Sequence, residues 1–325
     1  MEHFFWVLKK FIDLLLPYCI KKVFPKLCIK PEKNLYVKRI KTNNDPDFEL
    51  FIGFYETIFR QYANSWDWDN AGSFHRWLHK YDKNLFLYIA KDGYDQVIAF
   101  YCFQYFDQSK SLFLGYLGKV LGVVEGGTAP GMTKDHRANG RAIMARDMYK
   151  SVFKLLKNEL QGCKHIIYEI DNPKFYCDRL DYARCKAAQL RIRAFNRDLQ
   201  FFINESRDKL RGRFPRAYQV TLPYYIPKIN FEDEINFSKE DFCNGILYFI
   251  DLDSMRRRDT LPKEDLKAML KSIYLDSYGV TYDGTNKEVA YKAYINEVYE
   301  EMNRLVNGID GDCVTLKIIY EFQPN

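Results

Sequence analysis

The residues whose types and spacing could do chemistry gather first in one short run, His136-Arg137-Ala138-Asn139-Gly140-Arg141-Ala142. It follows a block of strand-like segments and opens a stretch, residues 143–160, with helical spacing. Small residues at Gly140 and Ala142 let backbone N–H groups approach phosphate oxygens, and a helix N-terminus adds orphan donors and a favourable dipole. Arg137 and Arg141 supply positive charge. Such a turn binds a phosphorylated ligand; the same residues also suit an ordinary glycine-containing strand-to-helix turn. A second candidate is Glu169, in the middle of the strand-like run Ile166-Ile167-Tyr168-Glu169-Ile170. A carboxylate there is partly desolvated and its pKa raised. Glu125 lies just ahead of Gly126-Gly127-Thr128-Ala129-Pro130-Gly131. The structural alternatives are a paired carboxylate for Glu169 and a solvated loop residue for Glu125.

Other constellations carry less. His75-x-x-x-His79 has metal-ligand spacing on a helix, but the glutamate of an H-E-x-x-H site is missing, so a solvated helix face is expected and no metal. Neither a Gly-x-Ser-x-Gly elbow nor a Walker loop occurs. Arg207 to Arg216 and Met255-Arg256-Arg257-Arg258 are basic clusters, which suit phosphates or plain solvation.

The elements that must position these residues come in a definite order. Residues 35–40 alternate as a strand, and Asp45-Pro46 starts a helix to about Tyr62, with Asp45 as N-cap and Pro46 at the first helical position. An acidic loop with Trp66-Asp67-Trp68-Asp69 precedes a second helix, 73–81. Residues 85–90 and 96–106 form a hairpin across Asp92-Gly93, and 111–124 is a strand that Gly115, Gly118 and Gly122 bend or bulge. After the organising turn and its helix come a strand at 164–171, a basic helix at 181–198, and two strands at 199–204 and 217–222.

At 325 residues, 47% hydrophobic and 28% charged, the chain has the composition of a packed globular protein. Its net charge of +6 suits a polyanionic ligand, RNA or an anionic membrane surface alike. None of the eight cysteines forms a C-x-x-C pair, so reduced thiols in a cytoplasmic protein are expected in place of a zinc site or a disulfide framework. Residues 4–24 carry an amphipathic helical stripe broken by Lys9, Lys10, Asp13, Pro17, Lys21 and Lys22. That excludes an uninterrupted apolar run of the ~20 residues a membrane-spanning helix needs. The stripe suits docking on the chain's own domain or on a second copy in a homodimer; peripheral membrane contact is the alternative.

The order β-α-α-β-β-β-α-β-α-β-β over residues 34–228, with Arg137-x-x-Gly140-x-Ala142 between strand and helix, resembles the GNAT superfamily of acyl-CoA-dependent N-acyltransferases. The resemblance implies an α/β fold, a mixed central sheet flanked by helices, in which two parallel strands splay to admit the pantetheine arm. It implies acetyl-CoA or another acyl-CoA as co-substrate, its pyrophosphate held by the backbone of Arg137, Ala138, Asn139, Gly140, Arg141 and Ala142. It implies direct attack by a primary amine on the thioester, with Glu169 and then Glu125 as candidates for the base. The family's usual tyrosine on the last core helix is replaced by Phe195, and a phenyl ring donates no proton. Tyr168 or Tyr225 could serve instead, the thiolate could leave unassisted, or catalysis could have been lost. The acceptor region carries Trp66-Asp67-Trp68-Asp69, which suits a cationic small-molecule or peptide amine.

Three segments are therefore expected: an amphipathic helical segment at 1–33, a GNAT-like core at 34–230, and a β-α-α-β subdomain at 231–325 outside that core. The last comprises a strand at 245–252, a helix from 261 to about 278, a long helix at 286–306 and a strand at 314–322. Two alternatives stand beside the enzyme: a catalytically silent scaffold that binds CoA or a protein, and an aminoacyl transferase that uses charged tRNA. A nucleic-acid partner is not expected on the first reading.

Overall fold

A computed structural model describes residues 36–62, 71–80, 84–91, 97–119, 150–209, 215–229, 242–252 and 258–320. Helix α1, Pro46–Tyr62, begins where the sequence places it. The Asp45 side chain accepts the Asp47 N–H at 3.0 Å, and its carbonyl accepts the Phe48 N–H at 2.8 Å, which satisfies two orphan donors of the first turn. Asp47 then pins the junction. Its carboxylate accepts Lys38 Nζ of strand β1, Tyr36–Ile40, at 2.8 Å and Lys91 Nζ of strand β2, Leu85–Lys91, at 2.7 Å.

The described strands β1, β2, β3 (Val97–Phe106), β4 (Ser111–Lys119), β5 (His165–Asp171), β6 (Arg216–Val220), β7 (Tyr224–Pro227), β8 (Phe242–Asp251), β9 (Thr260–Pro262) and β10 (Cys313–Tyr320) form one ten-stranded mixed sheet in the order β1-β2-β3-β4-β5-β8-β6-β10-β9, with β7 also paired to β8. Strands β3, Val97–Phe106, and β4, Ser111–Lys119, form a long antiparallel pair. Cys102 faces Tyr116 and Phe103 faces Leu114, so Gly115 is the extra residue of a bulge, at the first of the three glycines marked as bend sites. Strand β5, His165–Asp171, runs parallel to β4 but pairs with it only from Ser111 to Phe113. Beyond Ile167, every residue of β5 pairs with β8 alone. The two parallel strands therefore part just before the bulge.

Helices cover both faces. On one, residues 150–158 (α3) and α5, Tyr182–Lys209, lay Val152, Leu155, Leu199 and Ile203 against Ile166 and Tyr168. On the other, α1 and α2, Ala71–Lys80, cover β1 to β3. The rest of that face is covered by α6, Lys263–Lys271, and α7, Glu288–Asn307. A short helix, α4, Pro173–Asp178, starts at the Asn172 cap.

The structure changes two sequence expectations about elements. Residues 199–204 are not a strand but the continuation of α5, which Asp181 caps by accepting the Arg184 N–H at 3.1 Å. Leu199 and Ile203, four apart, are both buried on one helix face, and this packing outweighs the local preference of a Phe-Phe-Ile run for extended backbone. The strand expected at 245–252 is β8, Phe242–Asp251, and it is not peripheral. It lies between β5 and β6, Arg216–Val220, antiparallel to both. Strand β10, Cys313–Tyr320, pairs with β6 on the far side and with β9, Thr260–Pro262. The boundary drawn at residue 231 thus marks no break in the sheet. The N-terminal stripe, the loop at 63–70 and the organising turn lie outside the described residues.

Candidate functional site

Alternation along β5 decides which side chains can meet. Ile166 and Tyr168 point to the α3 and α5 face, while Ile167 and Glu169 point to the other. Glu169 and Tyr168 are therefore not brought together. Tyr168 is buried, and its ring stacks on Tyr248 with centroids 5.8 Å apart. Tyr225 is not at the carboxylate either; its backbone carbonyl accepts the Tyr274 hydroxyl. Phe195 lies within α5. Glu125 and residues 137–142 lie outside the described residues.

The phenols that do reach Glu169 are Tyr224 and Tyr278. Tyr224 stands at the start of β7, Tyr224–Pro227, and donates to Glu169 Oε2. Tyr278 donates to Oε1. Tyr278 belongs to a helical stretch that the sequence reads as the end of a regular helix. Helix α6 instead stops at Lys271, opens into a π-helical turn, Ser272–Ser277, and tightens into a 3-10 turn, Tyr278–Val280. A π turn inserts an extra residue and shifts the facing side chains, a device frequent at functional sites. Here it lays Tyr274 and Tyr278 inward side by side, their rings 6.2 Å apart. Tyr274 is fully buried, and its ring lies 5.9 Å from that of Tyr224. The only sequence sign of this cluster is an unusual density of tyrosines after residue 218, since π geometry leaves no local signature.

Desolvation pushes the Glu169 carboxyl up to about 8, the Tyr224 hydroxyl opposing this and the Asp171 charge adding to it. Burial likewise holds the Tyr224 and Tyr274 phenols well above their ordinary range, and the adjacent Glu169 charge adds to both. The site thus presents a carboxyl able to take or hold a proton near neutral pH, beside the place where β4 and β5 separate.

The remaining candidates fall into structural roles. His75 Nε2 lies 3.8 Å from Glu49 Oε1 and packs edge-on against Phe48. His75 and His79 line a cleft of about 620 Å³ whose far wall holds Asp283 and Lys292, 2.8 Å apart. No group of three or more His, Cys, Asp or Glu among the described residues could hold a metal. Arg258, of the second basic cluster, lies 3.3 Å from buried Asp251. Cys177 and Cys185 form a disulfide, contrary to the expectation of reduced thiols alone. The reason is the tight turn between α4 and α5, which holds their Cα atoms 5.3 Å apart. No helix of the described residues is long and apolar enough to cross a membrane.

No protein-family model and no curated protein matches the chain. Solved structures do resemble it. A spermidine N-acetyltransferase chimera from Vibrio cholerae and hSSAT is 8% identical, with a TM-score of 0.33 over 67% of this chain and 94% of that one. A GNAT-family acetyltransferase from Staphylococcus aureus is 11% identical, with a TM-score of 0.34 over 68% of this chain and 100% of that one. A Bacillus subtilis acetyltransferase in complex with CoA is 11% identical, with a TM-score of 0.31 over the same shares. The fold is α/β, a mixed sheet flanked by helices, in which a parallel pair of strands parts just before a bulge.

Proposed function

We propose that the chain is an acyl-CoA-dependent N-acyltransferase, most simply an N-acetyltransferase, in which an amine attacks the thioester directly. The observation that carries this reading is Glu169, a carboxyl raised to about 8 where β4 and β5 part. An amine reacts only once its ammonium has lost a proton, and the ionised form of such a carboxyl, a minor fraction at pH 7 that grows toward pH 8, is basic enough to take it. The acyl-CoA lies in the gap between the strands, with its pyrophosphate on the backbone of residues 137–142. The acceptor is a primary amine of a small molecule or peptide. Acetyl-CoA binding by calorimetry on the parent and on Gly140→Asp is the first test. Micromolar binding lost in the variant is expected, because a carboxylate there both obstructs and repels the pyrophosphate. A folded parent that binds no CoA ester ends the reading. One observation favours a second reading, a silent scaffold: both Glu169 oxygens already accept tyrosine hydroxyls, as in a purely structural carboxylate. Amine acylation that survives in the parent and disappears in Glu169→Gln excludes it.

A further inference from the structure

The residues around Glu169 come from two parts of the chain that the sequence reading keeps apart. Its strand and Tyr224 precede residue 231, whereas Tyr274 and Tyr278 follow it. The geometry points to a two-state hydrogen-bond relay, Glu169–Tyr224–Tyr274–Tyr225, which satisfies Glu169 both as a carboxylate and as a carboxylic acid and makes the π turn part of the proton-accepting machinery. This inference deepens the acyltransferase reading and rests on it for the proton's source.

Counting protons shows why. Tyr274 must donate to the Tyr225 carbonyl, because a carbonyl only accepts. With Glu169 ionised, Tyr224 donates to Oε2 and Tyr278 to Oε1, so three phenol protons serve three acceptors. When Glu169 takes a proton, its new O–H can point to the Tyr224 oxygen. The Tyr224 hydroxyl then turns toward the Tyr274 oxygen, the two rings lying 5.9 Å apart, while Tyr278 still donates to Oε1. All four protons have acceptors again. No buried oxygen is left unpaired in either state, which is where a buried carboxyl is otherwise penalised. In the reaction one N–H bond of the substrate ammonium breaks and one O–H bond forms on Glu169, leaving the neutral amine. The three tyrosines gain and lose no proton; they reorient. They are positioning residues. The titratable groups acting on Glu169 from the described elements are Asp171 on its own strand, Tyr224 on β7, and Tyr274 and Tyr278 on the helical turns. Asp171 is itself paired with Arg191 of α5. Tyr294 of α7 adds to the charge environment of Tyr274.

The relay predicts opposite signs for two similar changes. Tyr278→Phe removes a donor that serves the carboxylate, so Glu169 should hold its proton about tenfold more tightly. Tyr274→Phe removes the acceptor that Tyr224 needs only when Glu169 is protonated, so the proton should be held about tenfold more weakly. Infrared difference spectroscopy on the full chain without ligand reads this directly. The Glu169 carboxylic C=O band, assigned by its loss in Glu169→Gln, is titrated from acid to alkaline pH in the parent and both variants. Shifts in opposite directions are expected. Shifts in the same direction, or none, overturn the relay. If Tyr274→Phe fails to fold, the band position still decides. A carbonyl that accepts the Tyr278 hydroxyl absorbs lower than one that does not, so an unchanged band in Tyr278→Phe overturns the arrangement. Because no CoA ester is present, opposite shifts without any acyl transfer keep the relay and sink only the acyltransferase reading.

Discussion

Glu169→Gln tests the electrostatics of the site through stability alone. A buried carboxyl raised from 4.5 to about 8 binds its proton more tightly in the folded than in the unfolded chain. Below pH 4.5 both states are protonated and the group has no effect. Between 4.5 and 8 the unfolded chain ionises while the folded one resists, so folding stability falls as pH rises; above 8 the loss is complete. The rise from 4.5 to about 8, at about 1.36 kcal/mol for each tenfold change in proton affinity, sets a ceiling of about 5 kcal/mol. Glutamine mimics the protonated state: its carbonyl accepts from Tyr278, and its NH₂ donates to Tyr224. Its stability curve should therefore lack this decline. Urea unfolding at pH 5, 7 and 9 compares the two proteins, and subtracting one curve from the other cancels every other titrating group. The difference should grow steadily in favour of the glutamine variant, by several kcal/mol at pH 9. Parallel curves from pH 5 to 9 would mean that Glu169 ionises freely in the fold, and the general-base argument would go with it.

Three further outcomes follow from the same geometry. Asp47→Asn removes the carboxylate that Lys38 and Lys91 share, Lys91 with its side chain only 9% exposed, and should cost about 3 kcal/mol in urea unfolding at pH 7. Lys38 and Lys91 hold the Asp47 carboxyl below its ordinary range, so its contribution is present at neutral pH and fades as acid protonates it. The gap between parent and variant should narrow toward pH 3. Gly245→Ala places a Cβ 2.6 Å from Ile226 Cγ1 and 3.0 Å from Tyr224 Cδ1, so β7 must shift and about 1–3 kcal/mol of stability should be lost. Cys177→Ser with Cys185→Ser opens a closed loop spanning 8 residues, and thermal unfolding should show a loss of about 2 kcal/mol.

Local chemistry made the first half of the chain readable. Asp45-Pro46 carries its own start signal, Gly115 marks the bulge, and the apolar run around Glu169 announces a strand buried on both faces. The errors fall where a distant partner decides. Residues 199–204 have strand-like types, yet the sheet beneath them accepts only the helical spacing of Leu199 and Ile203. Strand β8 reads correctly as a strand, but nothing in residues 242–251 says that its partners are β5 and β6 rather than β10. Register between segments that far apart is set by which faces are left to bury, a property of the assembled sheet.

The same limit explains why Glu169 could be found and its partners could not. A charged residue inside an apolar strand is visible locally, because burying it without compensation is costly. Its compensation can come from anywhere. Here it comes from β7 and from the 3-10 turn that follows the π turn, about a hundred residues onward, which no periodicity encodes. The sequence reading put forward Tyr168 and Tyr225 as proton donors to the leaving thiolate; each is next in the chain to a residue of the cluster, and on a strand a neighbour in sequence points to the opposite face. The insertion of β8 beside β5 is what carries the chain onward to α6 and the π turn, over the face that Glu169 occupies. In this protein the C-terminal ninety residues therefore serve the candidate site as much as the core does. Truncation at residue 230 removes β8, the only described partner of Glu169 in the sheet, and should yield a chain that does not fold cooperatively in urea.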